Sequence, residues 1–180
     1  MLFVPGWLIA FITFPGVIIH EFAHQFFADL CKVKVFEVCY FRRGNPAGYV
    51  IHERTNDLKA AFLISVGPFI INTILCAILT FPANFPVFML ADDKANFVFK
   101  ILVWLGFSIG MHAFPSQEDM DGLILAVSES KNNTILLILA KFFAVIFKTA
   151  IFLSRIWFDL IYAYLIAQIL PNLFLLYAKY

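Results

Sequence analysis

MLFVPGWLIAFITFPGVIIHEFAHQFFA, residues 1–28, decides the fold. From Met1 to His20 the stretch carries no charge, and apart from Glu21 it stays uncharged to Ala28. About 20 apolar residues wound as a helix cross roughly 30 Å of hydrocarbon. Pro5 stands near the start, and Pro15 with Gly16 inside the run predicts a bend. No positively charged segment precedes the apolar run, which continues past any plausible cleavage site. It therefore reads as a retained transmembrane helix rather than a signal peptide.

The rest of the chain agrees. Of 180 residues, 62% are apolar and only 14% charged, where an ordinary soluble domain is roughly 45–50% apolar. A globule this small has too much surface to hide that much hydrocarbon from water. The composition excludes a soluble enzyme, a disordered chain and a coiled coil. A formal charge of +1 without a basic run excludes a nucleic-acid partner. Cys31, Cys39 and Cys76 have neither CxxC spacing nor an even count, so they read as apolar fillers rather than a disulfide or zinc framework.

Outward from the first span, residues 32–59 change character. Val33, Val35, Val38 and Tyr40, then Tyr49 and Ile51, flank the turn-rich Gly44-Asn45-Pro46-Ala47-Gly48. This predicts a β-hairpin over 33–53 at the membrane surface. A second span is expected from Ala60 to about Phe81, ended by Pro82 and Pro86. A third covers roughly 97–114. Residues 115–133 read as a loop leading into a short amphipathic helix, and 134–177 holds one or two further spans. Arg155 and Asp159, spaced i,i+4, are expected to pair. Gly106 and Gly110 form GxxxG, a mark of close helix packing. The fold class is an α-helical polytopic membrane protein, one domain over 1–180, with four to five transmembrane helices and a small hairpin. Lys32, Lys34, Arg42, Arg43, Arg54 and Lys59 load the 32–59 segment, whereas 82–96 carries only Lys94. The positive-inside rule places the hairpin, and the end of the spans beside it, in the cytoplasm.

His20-Glu21-Phe22-Ala23-His24 is an HExxH motif inside the first span. Residues i and i+4 lie on one helical face, so both imidazoles can reach one Zn²⁺. Zinc lowers the pKa of its water to about 7, and Glu21 stands beside the histidines to take that proton. Two buried histidines hydrogen-bonded to neighbours would be the plainer account. Chance, however, yields the pattern in roughly one such chain in 400, and ionisable groups within a span are expensive unless functional.

A catalytic zinc takes three protein ligands, so one more His, Asp or Glu must come from another element. The first and third spans run in the same direction. Their C-terminal ends therefore meet, bringing His112, Pro115, Glu118, Asp119 and Asp121 toward HExxH. Pro115 frees backbone there for an irregular wet loop. In the second span, Gly67-Pro68 loosens the helix and Asn72 places an amide in hydrocarbon, which suits either a packing kink or a polar role.

These elements together resemble the site-2 protease family of intramembrane zinc metalloproteases. They are similar in particular to a compact branch of zincin-type membrane peptidases whose third span carries His-x-Phe-Pro-Ser-x-x-Asp. The resemblance covers roughly residues 3–125, with 131–178 as added C-terminal helices. It implies His20, His24 and Asp119 as zinc ligands, Glu21 as the catalytic base, and Asn72 as a group holding substrate backbone or the oxyanion. His112 would be a donor to a ligand, an oxyanion stabiliser or a rival ligand. Asp121-Gly122 reproduces the ending of the broader family's motif, whose second Pro is missing here; Asp119 is preferred to Asp121. The implied activity is zinc-dependent hydrolysis of a membrane-protein or peptide substrate in or near its transmembrane segment, within the lipid bilayer. The alternative is a non-hydrolytic metal-binding scaffold, regulator or transporter. Intact Glu21 argues against the scaffold, and the scarcity of further intramembrane ligands argues against the transporter.

Overall fold

The computed structural model describes residues 4–84, 96–130 and 135–178. In chain order these form α1 (Gly6–Ile12), α2 (Phe14–Leu30), β1 (Val35–Cys39), β2 (Tyr49–His52), α3 (Leu58–Asn84), α4 (Phe97–Met111), α5 (Gln117–Glu129), α6 (Ile135–Leu153) and α7 (Phe158–Ala178), with a 3-10 turn at Ser154–Ile156 before α7. Among the described residues, three helices are long and apolar enough to cross a membrane, or four if the bent pair α1–α2 counts as one span. At 15 residues α4 is shorter.

The first span is not one helix. α1 and α2 meet at 89°, and the break falls at Thr13 rather than at Pro15-Gly16. Pro15 lies in the first turn of α2, where its missing N–H leaves nothing unpaired. At the break, the Thr13 N–H and hydroxyl both donate to Ile9 O, at 2.8 and 2.7 Å. The Ser108 hydroxyl of α4 donates to Thr13 O (2.9 Å) and accepts from Gly16 N (3.0 Å). Gly16 is required by this crossing: a Cβ there would stand 2.0 Å from Ser108 O.

α3 runs through the middle of the molecule and packs on α2, α4 and α7. It continues through Pro82 to Asn84 instead of ending near Phe81. Asn84 donates to Ala167 O of α7 at 2.9 Å. Gly67 makes room for Phe27 of α2, whose ring would lie 2.0 Å from an added Cβ. The GxxxG pair seats α4 closely on its neighbours, Gly106 against Thr80 and Gly110 against Cys76 and Ala163. A buried cluster including Leu58, Val66, Met120, Leu123 and Phe147 joins α3, α5 and α6. The outer faces of α6 and α7 leave Ile135, Val145, Leu165 and Leu176 exposed.

The hairpin forms as expected. β1 and β2 pair antiparallel, Glu37 opposite Ile51 and Cys39 opposite Tyr49, with an irregularity between Val35 and Glu37. The 134–177 segment divides into α6 and α7 at Trp157, which adopts φ 67°. That break removes the helical spacing on which an Arg155–Asp159 pair depended. Arg155 instead lies over the Phe152 ring, 5.5 Å from its centroid, and Lys148 pairs with Asp121 at 3.6 Å. Pro86, expected to help end the second span, and Lys94 lie outside the described residues.

Candidate metal centre

α2 carries His20, Glu21 and His24 on its inner face, all buried. Two backbone carbonyls aim the imidazoles, and each carbonyl is free for a local reason. Pro68 has no N–H, so the carbonyl of Ile64, four residues earlier in α3, lacks its helical partner. His24 Nδ1 donates to that oxygen at 3.0 Å. α4 ends at Met111, and its last carbonyls have no intrahelical donor. His20 Nδ1 donates to His112 O at 2.7 Å. Asn72 Nδ2 donates to the same oxygen (2.8 Å) and to Ile109 O (3.2 Å).

Asp119 arrives from α5. Ser116 caps that helix and Asp119 completes a capping box. Asp119 Oδ2 accepts from the Ser116 N–H and hydroxyl, both at 2.7 Å. Ser65 of α3 donates to Asp119 O at 3.1 Å and ties the turn to the core.

The donor set fits a metal ion. A carbonyl only accepts, so each Nδ1 holds the ring proton and each Nε2 presents a lone pair. The two Nε2 atoms stand 3.1 Å apart, and His24 Nε2 is 3.3 Å from Asp119 Oδ2. Ligand atoms of His20, His24 and Asp119 all lie within 4.8 Å of one another. Such a group is repulsive unless a positive charge sits among it. Burial pushes the Asp119 carboxyl up, but positive charge on its His24 side, whether a proton or a metal ion, more than reverses this and keeps Asp119 below the usual carboxylate range. A proton bridges only two of the three atoms, whereas a metal ion reaches all of them. Tetrahedral zinc, with bonds of about 2.0–2.2 Å, spaces its donors about 3.3–3.6 Å apart, close to the 3.1 and 3.3 Å separations that His24 makes with His20 and Asp119.

These groups open on a cavity of about 510 Å³ lined from α2, the hairpin, the α4–α5 connection and the start of α7. The hairpin roofs Glu21. A Cβ on Gly48 would come within 2.7 Å of Glu21 Cγ and 3.0 Å of Tyr40 O, so only glycine allows the loop so near. Tyr40 hydroxyl donates to Gln25 Oε1 and holds the hairpin against α2. No family model, curated protein or solved structure matches this chain.

The remaining sequence candidates are placed as follows. The His112 ring turns to Thr13, with Nε2 2.8 Å from its hydroxyl; it lines the cavity but is not in the ligand group, and its carbonyl is what touches His20. Asn72 is fully buried and absent from the cavity wall. Its amide braces the carbonyls behind His20, which differs from the substrate contact implied by the resemblance. Asp121 bonds Gln117 Nε2 (2.9 Å) and Lys148 instead of joining the ligands. Thr13 and Ser65 carry no sequence signal, because their roles depend on contacts between distant segments; Gly48 reads only as a turn residue, Ser116 only through the motif it shares with Asp119, and Asp159 only as a partner for Arg155. Pro68 was noticed only as a helix loosener, although a proline four residues beyond a free carbonyl is a readable signal.

Proposed function

We propose that the chain is an intramembrane zinc metalloprotease of site-2 protease type, cutting a peptide bond in or near the transmembrane segment of another protein. The observation that carries this reading is the convergence of His20, His24 and Asp119 on one point, with Glu21 on the wall of the same cavity. In this reading the chain is a multi-pass membrane protein, with the hairpin and the cavity mouth on the cytoplasmic side.

His20, His24 and Asp119 would hold the metal. Zn²⁺ in that position supplies Lewis acidity toward the scissile carbonyl and acidifies water. Glu21 takes the proton of the attacking water and returns one to the leaving amine. The His112 and Ile64 carbonyls keep both imidazoles in the tautomer that leaves Nε2 free. The hairpin over Glu21 limits bulk water at the carboxylate.

Protein purified in detergent should hold about one zinc per chain, and His20→Ala or His24→Ala should remove most of it. Glu21→Gln should retain zinc and fold yet lose at least about a hundredfold in cleavage of single-span substrates. Full zinc in both histidine variants would sink the metal centre. Zinc without cleavage of any single-span substrate would favour a non-hydrolytic metal protein.

A further inference from the structure

α1 and the hairpin enclose a second cavity, of about 590 Å³, that the metal centre does not use. Its apolar wall includes Trp7 and Phe11, four residues apart on α1 and so on one helical face, and Phe41 from the hairpin. Trp7 and Phe11 stay exposed, although the Phe11 and Phe41 rings lie 6.5 Å apart. Arg42 and Arg43 line the same cavity, and among the described residues no Asp or Glu does. Both guanidiniums are steadied. Arg42 lies 4.9 Å over the Tyr49 ring and its Nε donates to Pro46 O at 3.0 Å; Arg43 lies 5.2 Å over the Phe11 ring. Ring faces and a carbonyl orient a guanidinium without cancelling its charge. Among the described residues neither arginine forms an ion pair. Glu37, the acidic residue of the two strands, accepts from the Tyr49 hydroxyl instead.

An apolar cavity with two oriented guanidiniums on its wall is complementary to an amphiphile with an anionic head. Guanidiniums fork onto phosphate oxygens, tryptophan settles at the headgroup level of a bilayer, and clustered basic residues at a membrane favour anionic lipid. We propose that this cavity binds an anionic phospholipid, its phosphodiester on Arg42 and Arg43 and an acyl chain against Trp7, Phe11 and Phe41. A zwitterionic lipid brings its own cation to the phosphate and competes poorly. This inference goes beyond the protease reading and shares with it only the bilayer setting. Asn45 and Ala47 line both this cavity and the one at the metal centre, and the Arg42 N–H donates to Ala47 O at 2.7 Å. The lipid therefore braces the loop that roofs Glu21.

The test reconstitutes the full-length protein in phosphatidylcholine vesicles with a minor fraction of lipid brominated on its acyl chains, which quenches tryptophan on contact. Brominated phosphatidylglycerol should reach half-maximal quenching at about tenfold lower content than brominated phosphatidylcholine. Trp7→Phe should remove that difference, since Trp104 and Trp157 do not line the cavity. The double variant Arg42→Gln, Arg43→Gln should abolish the preference. Because Arg42 also holds the loop, Arg43→Gln alone should weaken it severalfold. Lys34→Gln takes the same charge from the hairpin outside the cavity and should change nothing. Equal quenching by the two lipids, a preference surviving the double variant or Trp7→Phe, or its loss in Lys34→Gln overturns the proposal. So does displacement of the lipid by millimolar glycerol phosphate, which makes the site one for soluble phosphate, or by a single-span peptide, which makes it a peptide groove. Hydrogen exchange over 41–48 should slow with phosphatidylglycerol in the wild type and not in the double variant; unchanged exchange overturns the bracing of the roof. None of these measurements reads cleavage, so a protein that cuts nothing leaves the lipid site standing.

Discussion

Pro68 cannot offer an N–H to the carbonyl of Ile64, and His24 takes the vacancy at 3.0 Å. One missing proton in α3 thus orients an imidazole on α2. Pro68→Ala restores the N–H, and the helix then competes with His24 for the same oxygen. Loss of such an orienting partner typically costs 10–100-fold in metal affinity, so zinc affinity by chelator competition should fall by about tenfold while α3 stays helical. Unchanged affinity would mean that the ring is held by packing alone. At this scale the sequence was legible where the chemistry is local. His20, Glu21 and His24 are fixed by helical spacing, and they do share one buried face. Asn72 was not legible, because whether an amide faces a cavity or braces a helix end depends on how α3 and α4 rotate against each other.

α5 shows how one residue can serve its helix and the site together. The oxygen of Asp119 nearest His24 also completes the capping box with Ser116. Ser116→Ala should cost about 1 kcal/mol of stability through the lost cap while zinc content stays near one per chain. Asp119→Ala should lose the zinc and the reciprocal half of the capping box, while the Ser116 cap on the residue-119 N–H remains. Asp121→Ala should keep zinc, since Asp121 faces Gln117 and Lys148. Metal loss in Asp121→Ala alone would transfer the ligand role to it. Element boundaries were legible unevenly. Strand alternation and the turn residues 44–48 marked the hairpin, a local pattern. The break at Thr13 was displaced from Pro15-Gly16 because Ser108 and His112, about a hundred residues away, hold it. Pro82 sits within α3, where Asn84 anchors the last turn on α7.

Across the whole molecule, α3 packs on α2, α4, α5 and α7 yet leaves Ile70, Ile74 and Ile78 exposed, and α6 and α7 also turn large apolar side chains outward. Contiguous apolar surface of that extent is poorly suited to water and suits the proposed bilayer setting. In that proposed setting the Lys and Arg residues of the hairpin would put it on the cytoplasmic face. Single-cysteine variants over 40–55 should react with an impermeant maleimide from the cytoplasmic side, and variants over 84–94 from the opposite side. The reverse pattern would turn the cavity mouth outward. Composition announced the apolar helices; it was silent on which helix would be central, since every long helix is apolar and only the close approaches at Gly16, Gly67 and Gly106 sort their neighbours.

The right angle between α1 and α2 has a consequence for the surrounding lipid. Because α1 turns aside, it adds no height to α2, whose 17 residues rise only about 26 Å. Its neighbour α4, with 15 residues, rises about 23 Å, while α3 with 27 rises about 40 Å. Against a hydrocarbon layer of about 30 Å, the α2–α4 side is too short and the α3 side long enough to tilt. Hydrophobic mismatch would therefore pinch the bilayer on the side that bears the two histidines and draw the headgroups toward them. On the proposed protease reading, a substrate helix arriving there would leave a thicker membrane for a thinner one, and its end would be pushed into water before it met the metal centre. Reconstitution in a series of phosphatidylcholines should show cleavage slowing as acyl chains lengthen at constant zinc content. A rate indifferent to chain length would mean that the protein, and not the bilayer, takes up the mismatch.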